Sequence, residues 1–164
     1  MDINTLSRSA AIELLSQVMY DQHTGYLLGS AAIHTVSVNP GDTMLYIDFC
    51  AVHSCNHAYT MEGTNAKWIN SFRGTDNVIK WGGDELIVML PYADTEGAIN
   101  RLVSNMQYND VYAVIVVLTC DDSLVSTAIR ADRILTDVKK GLDKVSRNAE
   151  YMCGDCTVVY EGGF

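Results

Sequence analysis

Three observations predict an α/β (α+β) sandwich, with helices packed on one central mixed five-stranded sheet. Val111–Thr119 is nearly all β-branched or aliphatic, the composition of a buried strand. Val78–Trp81 and Leu86–Leu90 are apolar runs on either side of Gly82-Gly83-Asp84-Glu85, which reads as a hairpin whose glycines supply positive φ. Segments with apolar residues at helical spacing alternate with these runs along the chain.

The elements follow in order. Ser7–Tyr20 carries Ala11, Leu14, Leu15 and Val18 at helical spacing. It is read either as a helix packed on its own domain or as a short stalk pairing with a second copy. Residues 1–20 are thus an N-terminal helix and residues 21–164 a single domain. Asp21–Leu27 is a polar, glycine-bearing break. Ala31–Val38 suits helix or strand, and Asn39-Pro40-Gly41-Asp42 is a turn. Met44–Phe49 is an apolar run without alternation, a buried central strand ending at Asp48, whose carboxylate needs a partner there. Ala51–Thr64 is irregular and polar, and Ala66–Phe72 is a short helix. Glu96–Asn105 is a helix with Ala98, Ile99, Leu102 and Val103 inward. Asp122-Ser123 caps a helix over Leu124–Lys140, and Thr157–Tyr160 is the final strand.

The totals narrow the function. The chain has 164 residues, 20 acidic against 11 basic side chains and a net charge of −9. That sign disfavours non-specific nucleic-acid binding, although a nucleotide remains compatible because divalent cations bridge carboxylates and phosphates. No apolar run reaches the roughly 18 residues of a membrane span, and the N-terminus lacks the basic and apolar regions of a signal peptide. Five cysteines, an odd number in a chain without secretion signals, are read as reduced thiols in a cytoplasmic protein. Cys153-Gly154-Asp155-Cys156 has the spacing of a zinc half-site or redox pair, with free thiols as the plainer reading.

Placed after a strand, Trp81-Gly82-Gly83-Asp84-Glu85-Leu86 resembles the signature of the GGDEF domain, the catalytic module of diguanylate cyclases. The resemblance runs from about Asp21 to Lys139. Asp21-x-x-Thr24-Gly25 is similar to the family's opening element, and Ile47-Asp48 to its first metal-binding aspartate. Arg73-x-x-Asp76 stands five residues before the signature, at the spacing of the family's product-inhibition site. Ile129–Leu135 followed by Lys139 is similar to the family's helix whose lysine contacts the triphosphate.

The resemblance implies the nucleotidyl-cyclase palm-like fold and a cyclase that condenses two GTP into cyclic di-GMP with Mg²⁺ or Mn²⁺. Asp48, Asp84 and Glu85 are then the catalytic carboxylates, and Asp48, Asp84 and the Phe49 backbone carbonyl the metal ligands. Asp48 and Asp84 are expected side by side on adjacent strands. Asn56 and Asn65, eight and seventeen residues after Asp48, fall where the family reads the base. His53, Gly82, Gly83 and Lys139 complete the substrate site, while Arg73 and Asp76 hold product. A cyclic dinucleotide also implies a homodimer, weak or assembled by substrate.

The chain departs from the pattern where the family has a second aspartate, a lysine and an arginine, and this sequence has Cys50, His53 and Leu142. Lost phosphate cations motivate a second reading, a silent module binding cyclic di-GMP or GTP. Asparagine at position 65, where guanine selectors carry a carboxylate, leaves open an adenine-containing product.

Overall fold

The structure, a computed structural model, describes residues 7–22, 24–49, 72, 77–83, 85–90, 95–108, 113–140 and 156–161. Its elements are α1 (Arg8–Met19), β1 (Leu27–Leu28), α2 (Gly29–Thr35), β2 (Thr43–Phe49), β3 (Asn77–Lys80), β4 (Glu85–Leu90), α3 (Thr95–Tyr108), β5 (Ala113–Thr119), α4 (Leu124–Lys139) and β6 (Thr157–Tyr160).

The most apolar strands lie at the centre of the sheet. β2 is antiparallel to both β4 and β5, and the full order is β1-β3-β4-β2-β5-β6. The sheet has six strands among the described residues, one more than expected. The addition is the two-residue β1, which runs parallel to β3 and begins at the last residue of the stretch read as a polar break. β6 pairs in parallel with β5 at the opposite edge, which makes the sheet mixed.

Strand alternation sends β2 side chains to two separate cores. Leu45, Ile47 and Phe49 share one with Ile99, Leu102 and Met106 of α3. Met44 and Tyr46 share the other with Ala32 of α2 and with Leu124, Ala128, Ala131 and Leu135 of α4. The result is three layers, helix on sheet on helix. Leu102 is fully buried, so Leu102→Ala is expected to cost about 3 kcal/mol and lower Tm by roughly 6–12 °C in a thermal melt.

Helix ends follow local chemistry. The Ser7 hydroxyl accepts from the Ala10 N–H at 3.2 Å, and the Ser123 hydroxyl from the Ser126 N–H at 3.0 Å, each satisfying a first-turn donor. Hydrogen bonds from the Ser126 hydroxyl, the Ser123 N–H and the Thr127 hydroxyl hold the Asp121 carboxyl below the usual range. The open choice over Ala31–Val38 resolves as a helix to Thr35 followed by non-helical chain. α1 touches α2 and β1 with a side that includes the half-buried Ala11 and Leu14, whereas Ile12, Leu15 and Val18 are exposed. No helix among the described residues is long and apolar enough to cross a membrane.

Candidate active site

The carboxyl end of β2, the start of β4 and the last turn of α4 meet at one end of the sheet. Asp48 pairs directly with Glu85 across the β2–β4 ladder. Asp48 is only 6% exposed, and its Oδ2 lies 2.6 Å from the ammonium Nζ of Lys139, which α4 brings over the same face. A carboxylate this deep requires a compensating cation, and Lys139 supplies one.

Glu85 is fixed through backbone and side chain. Its carbonyl accepts the N–H groups of Trp81 at 3.0 Å and Gly82 at 3.2 Å, which closes the hairpin. Its Oε2 accepts the hydroxyl of Tyr46 at 2.5 Å. Burial, then the hydrogen bond and charge of Glu85, raise the Tyr46 phenol far above its usual range, with smaller contributions from Asp132 and Asp48. The Tyr46 oxygen is therefore a hydroxyl donor at any ordinary pH.

The hairpin differs from expectation in its backbone. Positive φ occurs at Gly25 and Gly41, and neither Gly82 nor Gly83 adopts it. The reason is the loop's breadth: β3 ends at Lys80 and β4 begins at Glu85, so no two-residue turn has to be closed. A Cβ at either glycine would meet no closer than ordinary contact with the described residues. A Cβ on Gly82 would sit 3.4 Å from Glu85 Oε2, and one on Gly83 would face open space. At its base, the hairpin is held by α2, since a Cβ on Gly29 would come within 2.8 Å of the Trp81 ring. Asp21 accepts from the Thr24 N–H and hydroxyl at 2.9 and 2.6 Å and faces Lys80 at 3.8 Å, tying the Asp21–Gly25 turn to β3.

Of the residues singled out in the sequence, Asp48, Glu85 and Lys139 come together here, with Phe49, Gly82 and Gly83 beside them. Phe49 turns its side chain into the opposite core. His53, Asn56, Asn65, Arg73, Asp76 and Asp84 lie outside the described residues, as do Cys50, Leu142 and Cys153. It is Glu85, next to the expected Asp84, that stands opposite Asp48. Lys139, which the resemblance assigns to phosphate, is paired with Asp48. Arg130 of the same helix is a structural clamp, bonding Glu161 Oε1 at 2.6 Å and the Thr119 carbonyl at 2.8 Å across the β5–β6 edge.

Sequence reading does not single out Tyr46, which stands as one more residue of the apolar run Met44–Phe49. Its position two residues before Asp48 was the available signal, because strand period two puts both on one face.

The donors suit a divalent cation. Asp48 already receives a positive group at 2.6 Å, and a second carboxylate, Glu85, is its register partner. Among the described residues no group of three or more His, Cys, Asp or Glu is placed to hold a metal, so this pair needs further oxygen ligands.

The architecture is that of GGDEF domains. Diguanylate cyclase SiaD of Pseudomonas aeruginosa, solved with its activator SiaC, superposes with a TM-score of 0.61 at 17% identity over 93% of this chain. The chain spans 65% of the length of that protein. A microbial GGDEF domain solved with cyclic di-GMP gives 0.62 at 14% identity, covering 90% of this chain and 99% of the other. The coiled coil and GGDEF domain of DgcB from Caulobacter crescentus, also with cyclic di-GMP, gives 0.64 at 11% identity over 93% and 91%. No family's sequence pattern matches the chain, and no curated protein is matched by sequence. The shared feature is the fold.

Proposed function

We propose that the chain is a Mg²⁺- or Mn²⁺-dependent diguanylate cyclase that joins two GTP into cyclic di-GMP across a homodimer in the cytoplasm. The observation that carries this reading is the buried Asp48, paired with a cation and facing Glu85 beside the Gly82-Gly83 pair. In each of two steps a 3′-hydroxyl attacks an α-phosphate. The new phosphorus–oxygen bond replaces the bond to the β-phosphate bridge, pyrophosphate leaves, and the hydroxyl proton is released. Asp48, Asp84 and the Phe49 carbonyl would hold the metal, which when bound stabilises negative charge on the attacking and phosphoryl oxygens. Glu85 supplies a further carboxylate. Gly82 and Gly83 let the phosphates approach the backbone, with His53 beside them, and Asn56 and Asn65 take the base. Lys139, on leaving Asp48, contacts the outer phosphates as a point charge.

Purified protein with Mg²⁺ and each of the four nucleoside triphosphates is expected to yield pyrophosphate and a cyclic dinucleotide from GTP, read by chromatography. Product from ATP would relocate the base choice to Asn65. No product from any triphosphate at high protein concentration would refute the enzyme reading. Cys50, His53 and Leu142, in place of charged phosphate and metal contacts, favour a second reading: a module that binds cyclic di-GMP through Arg73 and Asp76, or GTP at the former active site. Calorimetry then shows dinucleotide binding without turnover, abolished by Arg73→Ala.

A further inference from the structure

Tyr46 is 1% exposed, and its ring belongs to the core beneath the site, the cluster that contains Met44, Ile87 and Ala131. Ile87 is its register partner, so Glu85 is its diagonal neighbour on β4, within reach of a long aromatic side chain. The hydroxyl crosses that diagonal to donate to Glu85 Oε2. Packing alone does not call for the oxygen, since phenylalanine has nearly the same shape and carries no polar atom to desolvate. The hydroxyl acts on the carboxylate.

We infer that Tyr46 is a positioning residue, whose O–H fixes one oxygen of Glu85 and so sets that carboxylate opposite Asp48 for the divalent cation of an incoming nucleotide. The inference rests on the cyclase reading only for which nucleotide arrives. Without the hydroxyl, Glu85 is free to rotate about its own side-chain bonds, and the pair of carboxylates loses its preset arrangement. Outer partners of metal-binding groups typically account for about 10–100-fold in affinity.

The test is Mn²⁺ binding, followed by the electron paramagnetic resonance of free Mn²⁺, in wild type, Tyr46→Phe, Glu85→Gln and the double variant. Tyr46→Phe is expected to melt close to wild type and to weaken Mn²⁺ binding about tenfold. In the Glu85→Gln background it should add almost nothing, because both changes act at one point. Unchanged Mn²⁺ affinity in Tyr46→Phe overturns the inference, as does a full tenfold loss that persists without the Glu85 charge. A Tyr46→Phe protein that fails to fold also overturns it, since the oxygen would then serve the core. So does a wild type that binds no Mn²⁺. A wild type that binds Mn²⁺ with the expected pattern, yet makes no dinucleotide, removes the cyclase reading and leaves this inference standing.

Discussion

Asp48→Asn is expected to lower cyclase activity by about a thousandfold while leaving the fold intact. Asparagine has the shape of aspartate and keeps an oxygen that can accept from Lys139, so the hydrogen bond survives and only the charge is lost. The stability cost is small for two reasons. Lys139 keeps 28% of its side chain exposed, so its ammonium still reaches water when the opposing charge is gone. Glu85, the register partner, also ceases to face a like charge. A carboxylate kept nearly buried opposite another is the kind of arrangement that function retains against stability. Thermal melts should therefore agree within about 3 °C, or shift upward, while pyrophosphate release collapses. Activity within about tenfold of wild type would remove Asp48 from the chemistry.

The contrast between what the sequence announces and what only the structure reveals follows from range. Ala113–Leu118 and Met44–Phe49 are legible because a strand buried on both faces must be apolar throughout, whatever its neighbours. Ser123 is legible as a cap because its partner, Ser126, is three residues away. β1 is not legible: Leu27–Leu28 is too short to show any period, and its parallel partner Ile79-Lys80 is about fifty residues distant. The candidate site divides in the same way. Asp48, Glu85 and Lys139 could be named from motif spacing. That Lys139 would sit on Asp48 depends on α4 crossing the end of β2, a fact of tertiary packing. Tyr46 was hidden by its dual nature, since a tyrosine in an apolar run counts as core until its hydroxyl finds a carboxylate. Neither Gly82 nor Gly83 adopts positive φ, and a Cβ would meet ordinary contact at the first and open space at the second, so the residue type alone does not reveal the backbone conformation it accompanies.

Specific activity is expected to rise with enzyme concentration, by as much as about tenfold across the range in which two copies associate. The proposed product has two phosphodiester links, and each 3′-hydroxyl must face the α-phosphate of the other nucleotide. One site holding one nucleotide does not offer that geometry, so two copies must face each other in a C2 arrangement. α1 is the candidate contact. It has no fully buried residue, and its outer side exposes Ile12 at 57%, Leu15 at 45% and Val18 at 56%. Ala11 and Leu14, counted in the same stripe from spacing alone, are half-buried. A charge at Leu14 would therefore disturb the domain's own packing, and the informative substitutions are Leu15→Asp and Val18→Asp. α1 has 12 residues and so extends about 18 Å, which limits the contact to an area well under about 1,000 Å². Such a dimer is expected to be transient and completed by substrate bridging the two sites. The Leu15→Asp/Val18→Asp double variant should lose about tenfold in activity at low concentration, regain much of it at high concentration, and melt at the wild-type temperature. Activity per molecule that stays constant over about a hundredfold dilution, with a monomeric mass by light scattering throughout, would contradict this assembly.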